Sequence, residues 1–195
     1  MLRIIKGCLL FGVMLLPGCV SYSQHELAPV DAWPPRAEAP ANKPTAYVRT
    51  TALYQVNRGL PNATGGAPAA AWEKAVTDTY GQSGRFARVS TDKVASDIYV
   101  ESTLTNHEQY SVASAIITGA TFFVVPTTAR NTFTLETVYK DKEGKELGRI
   151  SKSESVRTWM HLVLIVGIPF QQDASEVVRL LAQSTLDEAV KRRLL

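Results

Sequence analysis

From Thr45 to Val56 apolar and polar positions alternate. Val48, Thr50, Ala52, Tyr54 and Val56 share one face of an extended chain, and Tyr47, Arg49, Thr51, Leu53 and Gln55 share the other. β-branched and aromatic residues at a period of two predict a half-buried strand. The Gly-, Pro- and Asn-rich stretch 57–68 then predicts a loop. At Pro68 the period changes to that of a helix. Trp72, Ala75, Val76 and Thr79 form one stripe, Pro68 suits the first turn, and Gly81 and Gly84 supply a stop, so a helix is expected over 68–82. Short and longer strands follow at 86–90 and 97–105, the second with Ile98, Val100, Ser102 and Leu104 on its core face. The clearest hairpin joins 131–140 to 147–156. Phe133, Leu135, Thr137 and Tyr139 alternate with Thr134, Glu136, Val138 and Lys140, and Asp141–Lys145 forms a polar turn with Gly144 where a positive φ is expected. Arg149, Ser151, Ser153 and Ser155 place one face of the second strand in water. Asp173 with Glu176 three residues later marks the start of a last helix. Its stripe is Val177, Val178, Leu181, Thr185, Ala189 and Val190, with Gln183 off it, and Lys191, Arg192 and Arg193 complement the helix dipole at its end. This order predicts an α+β domain over 45–195, a mainly antiparallel sheet with two helices packed on one face.

Two further runs are apolar without alternating. Residues 112–126 read VASAIITGATFFVVP and residues 159–170 read WMHLVLIVGIPF. Neither has the dyad pattern of a membrane-spanning β-strand, and neither reaches the roughly 20 residues a spanning helix needs. The first enters the predicted hairpin and the second leaves it, so antiparallel pairing brings both runs to one end of the sheet. They are either core or a contact patch of Phe122, Phe123, Trp159, Leu162, Leu164 and Phe170, facing the bilayer, another copy or a protein partner.

The amino end carries an address. Arg3 and Lys6 precede an almost wholly apolar run over 7–16, too short to span a bilayer but suited to a secretory signal. Leu16-Pro17-Gly18-Cys19 closes it and resembles the lipobox of bacterial lipoproteins. That resemblance implies a signal peptide over 1–18, cleavage behind Gly18 and diacylation of Cys19 through a thioether. Val20 rather than an aspartate after the cysteine resembles an outer-membrane address, with the domain facing the periplasm. Residues 19–44 hold Pro29, Pro34, Pro35, Pro40 and Pro44 and read as a semi-rigid spacer between lipid and domain.

Composition removes other classes. With 45% hydrophobic and 20% charged residues the chain is neither disordered nor collagen-like, and 21 basic against 18 acidic residues do not announce a nucleic-acid binder. Both cysteines, Cys8 and Cys19, lie in the amino-terminal region, so the mature domain is expected to stand on its core without a disulfide. His25, His107 and His161 have no second ligand at zinc spacing, and no phosphate loop or nucleophile elbow is present. No metal and no cofactor are expected. His107 with Glu108, or His161, are the acid–base candidates for a small envelope hydrolase. The favoured reading is noncatalytic: a lipid-anchored envelope protein that binds a protein partner or self-assembles.

The order of Tyr47–Val56, the helix ending near Phe86, Asp97–Glu101, the turn over 141–148 and the closing helix is similar to the periplasmic domain of curli-secretion-channel lipoproteins and related anticodon-binding-like domains. The similarity spans about residues 45–195 at the level of element order and implies a component of an envelope secretion or assembly complex. That family builds its pore from paired membrane strands, and this chain departs from it in having no alternating runs to supply them.

Overall fold

A computed structural model describes residues 18–35, 42–64, 66–164 and 173–195. The expected signal peptide, apart from Gly18, and Phe170 lie outside them. In chain order the elements are β1 (Gly18–Ser23), β2 (Thr45–Val56), β3 (Asn62–Ala63), α1 (Gly66–Gln82), β4 (Arg88–Ser90), β5 (Ile98–Tyr110), α2 (Val112–Ala120), β6 (Thr127–Asp141), β7 (Glu146–His161) and α3 (Ala174–Lys191). They form an α+β fold around a seven-stranded sheet of order β1-β7-β6-β5-β2-β3, with β4 pairing β2. The sheet is mixed but mainly antiparallel. β2 runs parallel to β4 and β5 because α1 carries the chain back across the sheet.

One sheet face and the helices α1 and α3 enclose the core. Val48, Val100, Leu104, Leu135 and Tyr139 from the strands meet Val76 and Tyr80 from α1 and Val178, Leu181 and Leu186 from α3, all buried. Paired residues share a face, so the register Val100↔Tyr139, Ser102↔Thr137 and Leu104↔Leu135 carries this core across β5 and β6. Polar groups inside it find one another. The Tyr80 and Tyr139 hydroxyls are 2.7 Å apart and Ser102 lies 3.1 Å from Thr137. Burial pushes the Tyr80 phenol up to about 12.

Three expectations change. The hairpin is longer than its clearest alternation, since Thr127↔Met160 is already paired; Thr127, Thr128 and Thr158 are β-formers that continue both strands. The first apolar run makes a third helix, α2. The expected spacer begins as a strand: β1 pairs antiparallel with β7 from Gly18↔His161 to Ser23↔Val156. Its prolines begin only at Pro29, and β1 covers what would otherwise be an open edge of β7. Leu27 and Trp33 beyond it pack against the core.

Gln183 is also placed differently, at 5% exposure. Ser175, Glu176 and Arg179 on the same side of α3 face α1 across a groove, and Gln183 continues that side at i+4 and i+7. A helix covered by both a sheet and a second helix buries more than one stripe.

Candidate functional site: an uncharged end of the sheet

At one end of the sheet β5 stops, β6 begins, β7 stops and β1 begins. Tyr110↔Ala129, Thr127↔Met160 and Cys19↔Met160 define that end. α2 caps it. Ser111 is the N-cap, accepting from the Ser114 backbone N–H, and Ser114 Oγ in turn lies 2.7 Å from Thr127 Oγ1 on β6. Thr118 is the buried residue of the helix. Val112, Ile116 and Ile117 are exposed, Ile116 at 65%.

The chain leaves α2 through two bulky residues in left-handed conformations, Phe122 at φ 49° and Phe123 at φ 63°. The Phe123 N–H donates to Thr118 O at 2.8 Å, closing the helix end. This turn throws the Phe122 side chain into solvent, 82% exposed, with Val124 and Val125 exposed beside it.

The second apolar run arrives from β7 and meets the first. The Leu162 N–H donates to Phe123 O at 2.9 Å. His161 fastens the same junction: the Val163 N–H donates to Nδ1 at 3.3 Å, which leaves the proton on Nε2 to donate to Val124 O at 3.0 Å. Leu162 and Leu164 are half-buried and Val163 is exposed. Trp159 is exposed on β7, and its Nε1–H donates to the Tyr22 hydroxyl of β1 at 2.6 Å.

Of the six patch residues expected from sequence, Phe122, Phe123, Leu162 and Leu164 thus gather at this end. Trp159 stands at its margin, and Phe170 lies outside the described residues. Sequence reasoning missed Tyr22, because residues 20–44 read as a spacer. It missed Ile116 and Ile117 as individual positions because the whole run 112–126 read as apolar without being resolved into a helix. Between Ser111 and Ala129 the chain carries no Asp, Glu, Lys or Arg, and none falls between Thr158 and Gln172.

Cys19 is exposed and sits in β1 opposite Met160. Its strand is held by more than its ladder. The Glu154 carboxylate, 3% exposed on β7, accepts from Ser23 Oγ at 2.6 Å and from the Leu27 N–H at 2.6 Å. Burial pushes this carboxyl up, but the hydrogen bonds from Ser23 and from the backbone of Leu27, Glu26 and His25 outweigh it and hold the carboxyl below its ordinary value.

The acid–base candidates do not converge. His107 Nε2 lies 2.7 Å from Asn57 O. Glu108, next along β5, points to the opposite sheet face and accepts from the Tyr54 hydroxyl, whose phenol that bond pushes up to about 12. His161 is far along the sheet and bound to backbone at both ring nitrogens. Among the described residues no three His, Cys, Asp or Glu side chains come together, and no helix is long and apolar enough to cross a membrane.

No protein-family model matches the chain, and no curated protein matches it by sequence. The chain is similar to two kinds of solved structure. One is PelC from Paraburkholderia phytofirmans, a dodecamer, at 12% identity over 88% of this chain and 96% of that one, with a TM-score of 0.29. The other is a DUF4136 family protein from Bacteroides thetaiotaomicron, at 13% identity over 90% of this chain and 96% of that one, with a TM-score of 0.32.

Proposed function

We propose that the chain is a noncatalytic lipoprotein of the cell envelope, acylated at Cys19, held at the outer membrane with its domain toward the periplasm, and working by contact through its paired apolar segments. One observation carries the reading. Two uncharged runs far apart in sequence meet in a hydrogen-bonded junction, Leu162 to Phe123 and His161 to Val124, and turn large apolar side chains outward rather than into the core. A fold with a complete core elsewhere gains nothing in stability from such exposure, so a contact surface accounts for it better. The engagement of His107 and His161 with backbone carbonyls supports the noncatalytic part. The lipobox-like Leu16-Pro17-Gly18-Cys19 supports the anchor.

Metabolic labelling with a tagged fatty acid tests the anchor. Wild type is expected to take up label, and Cys19→Ser to take up none and to keep its signal segment. Equal label on both would overturn acylation at Cys19.

A further inference from the structure

We propose that the uncharged end of the sheet rests on the membrane that anchors the chain, Ile116, Phe122, Val124 and Val163 immersed in the boundary between headgroups and acyl chains, so that the domain stands on the bilayer instead of hanging from a spacer. This inference rests on acylation at Cys19 for its geometry.

The register places the anchor. Cys19, Met160 and Thr127 are paired in one row across β1, β7 and β6, and therefore share a sheet face. α2 is bonded to Thr127 through Ser114. Two strand spacings of about 4.8 Å put Cys19 roughly 10 Å from that contact. β1 is fixed to β7 by its ladder and by Glu154, so acyl chains leaving Cys19 start beside the apolar loops and on a rigid mount. One covalent lipid attachment with a built-in apolar surface gives the two signals that stable membrane residence needs.

Chemistry changes in order along the strands. The tip holds Phe122, Val124, Ile116 and Val163, uncharged and exposed. Two residues up β7 from its last residue, about 7 Å at 3.3 Å per residue, Trp159 and Tyr22 form a hydrogen-bonded pair. Such amphipathic rings settle at a headgroup boundary. Two residues further, Arg157 and Arg130 oppose each other in register. Arg130 pairs with Glu26, and Arg157 has no ion-pair partner among the described residues. Both arginines line an open depression of about 450 Å³ with Asn57, Gln109, Ser111 and Ser114, at the root of α2. An apolar face immersed by about 5–10 Å brings the aromatic pair to the boundary and the arginines to the lipid phosphates. The opposite end, the charged turn Asp141–Lys145, then points away from the membrane.

The mature chain offers a clean test, because acylation at Cys19 and loss of Cys8 leave any introduced cysteine as the single thiol. Full-length Val124→Cys and Lys142→Cys, extracted from bacterial membranes, are labelled with a polarity-sensitive fluorophore. They are reconstituted into phosphatidylethanolamine–phosphatidylglycerol vesicles with or without brominated acyl chains. The label at 124 is expected to shift to the blue and to be quenched by bromine, and the label at 142 to do neither. Phe122→Asp added to Val124→Cys is expected to keep the circular dichroism spectrum and to lose the quench. An unquenched label at 124 on vesicle-bound protein overturns the proposal. If that label is instead buried in a larger particle in detergent, the surface belongs to a second copy. Failure of the anchor shows separately: wild type would then label at Cys19 and lack acyl mass. In that case quenching at 124 in the vesicle-bound fraction, with wild type as blank, still upholds docking, and absence of such a fraction overturns it.

Discussion

The two ends of the β6–β7 hairpin share one ladder and differ in almost everything else. At the turn end Asp141 Oδ1 accepts from the Glu143 and Lys145 N–H groups at 3.1 and 2.8 Å, Gly144 takes φ 84°, and charged side chains meet water. Local chemistry completes that end. At the other end the backbone is just as well bonded, through Leu162 to Phe123 and His161 to Val124, yet the side chains it presents are apolar. Hydrogen bonding fixes the shape of both ends, whereas only the first is matched to water. An end that is ordered and unmatched to water is what the proposed contact surface requires, and that difference is open to measurement.

The contrast breaks first if the apolar end proves to be core. Leu181, fully buried between α3 and the sheet, should cost about 2–5 kcal/mol on truncation to alanine. Ile116→Ala at the exposed end should change stability by less than about 0.5 kcal/mol. Denaturant melts of the two variants are the measurement. Equal losses would make α2 part of the core and remove the basis for a contact surface.

The next effect tests how firmly β1 belongs to the fold. Glu154→Gln keeps the shape and removes the charge that Ser23 and the Leu27 N–H bond to, and should cost about 1–3 kcal/mol. The native carboxyl sits below its ordinary value of 4.5, so its contribution is complete above that value. The contribution is lost as pH falls through the lower native value. Wild type should therefore lose more stability than Glu154→Gln when melts are compared from pH 6 down to pH 3. Parallel losses would mean that Glu154 does not secure the strand carrying Cys19.

Most of the fold was legible because period and punctuation agreed. Val100, Leu104, Leu135 and Tyr139 were on the face they occupy, and Asp173 caps the helix it was expected to open. The meeting of the two apolar runs followed from antiparallel geometry alone. What stayed hidden depends on the neighbours of an element rather than on its own pattern. β1 alternates only over residues 20–23, between the lipobox-like cysteine and a proline-rich stretch, and gains its identity from the free edge of β7. Gln183 lies off the apolar stripe, and a single stripe cannot reveal that α3 also lies against α1. Its 5% exposure now predicts a loss of about 1 kcal/mol for Gln183→Ala in the same melts, clearly above Ile116→Ala. Indistinguishable values would return α3 to one buried stripe.

The smallest expected effect is the most specific to the apolar end. Phe122 holds φ 49° with its ring 82% exposed, so it bears backbone strain without the compensation of burial. A left-handed conformation costs a side-chain-bearing residue about 1–2 kcal/mol, and glycine occupies it freely. Part of that gain is offset because glycine also loosens the unfolded chain, by about 0.4–1 kcal/mol. Phe122→Gly should therefore stabilise the fold by about 0.5–1 kcal/mol, seen as a higher denaturant midpoint at unchanged slope. The same variant removes the largest exposed ring from the tip, so it should weaken quenching of a label at residue 124 by brominated lipid. A gain in stability with a loss of contact is the signature of a strained residue kept for what it touches. A loss of stability would instead show that Phe122 packs within the protein and belongs with Leu181 on the other side of the comparison.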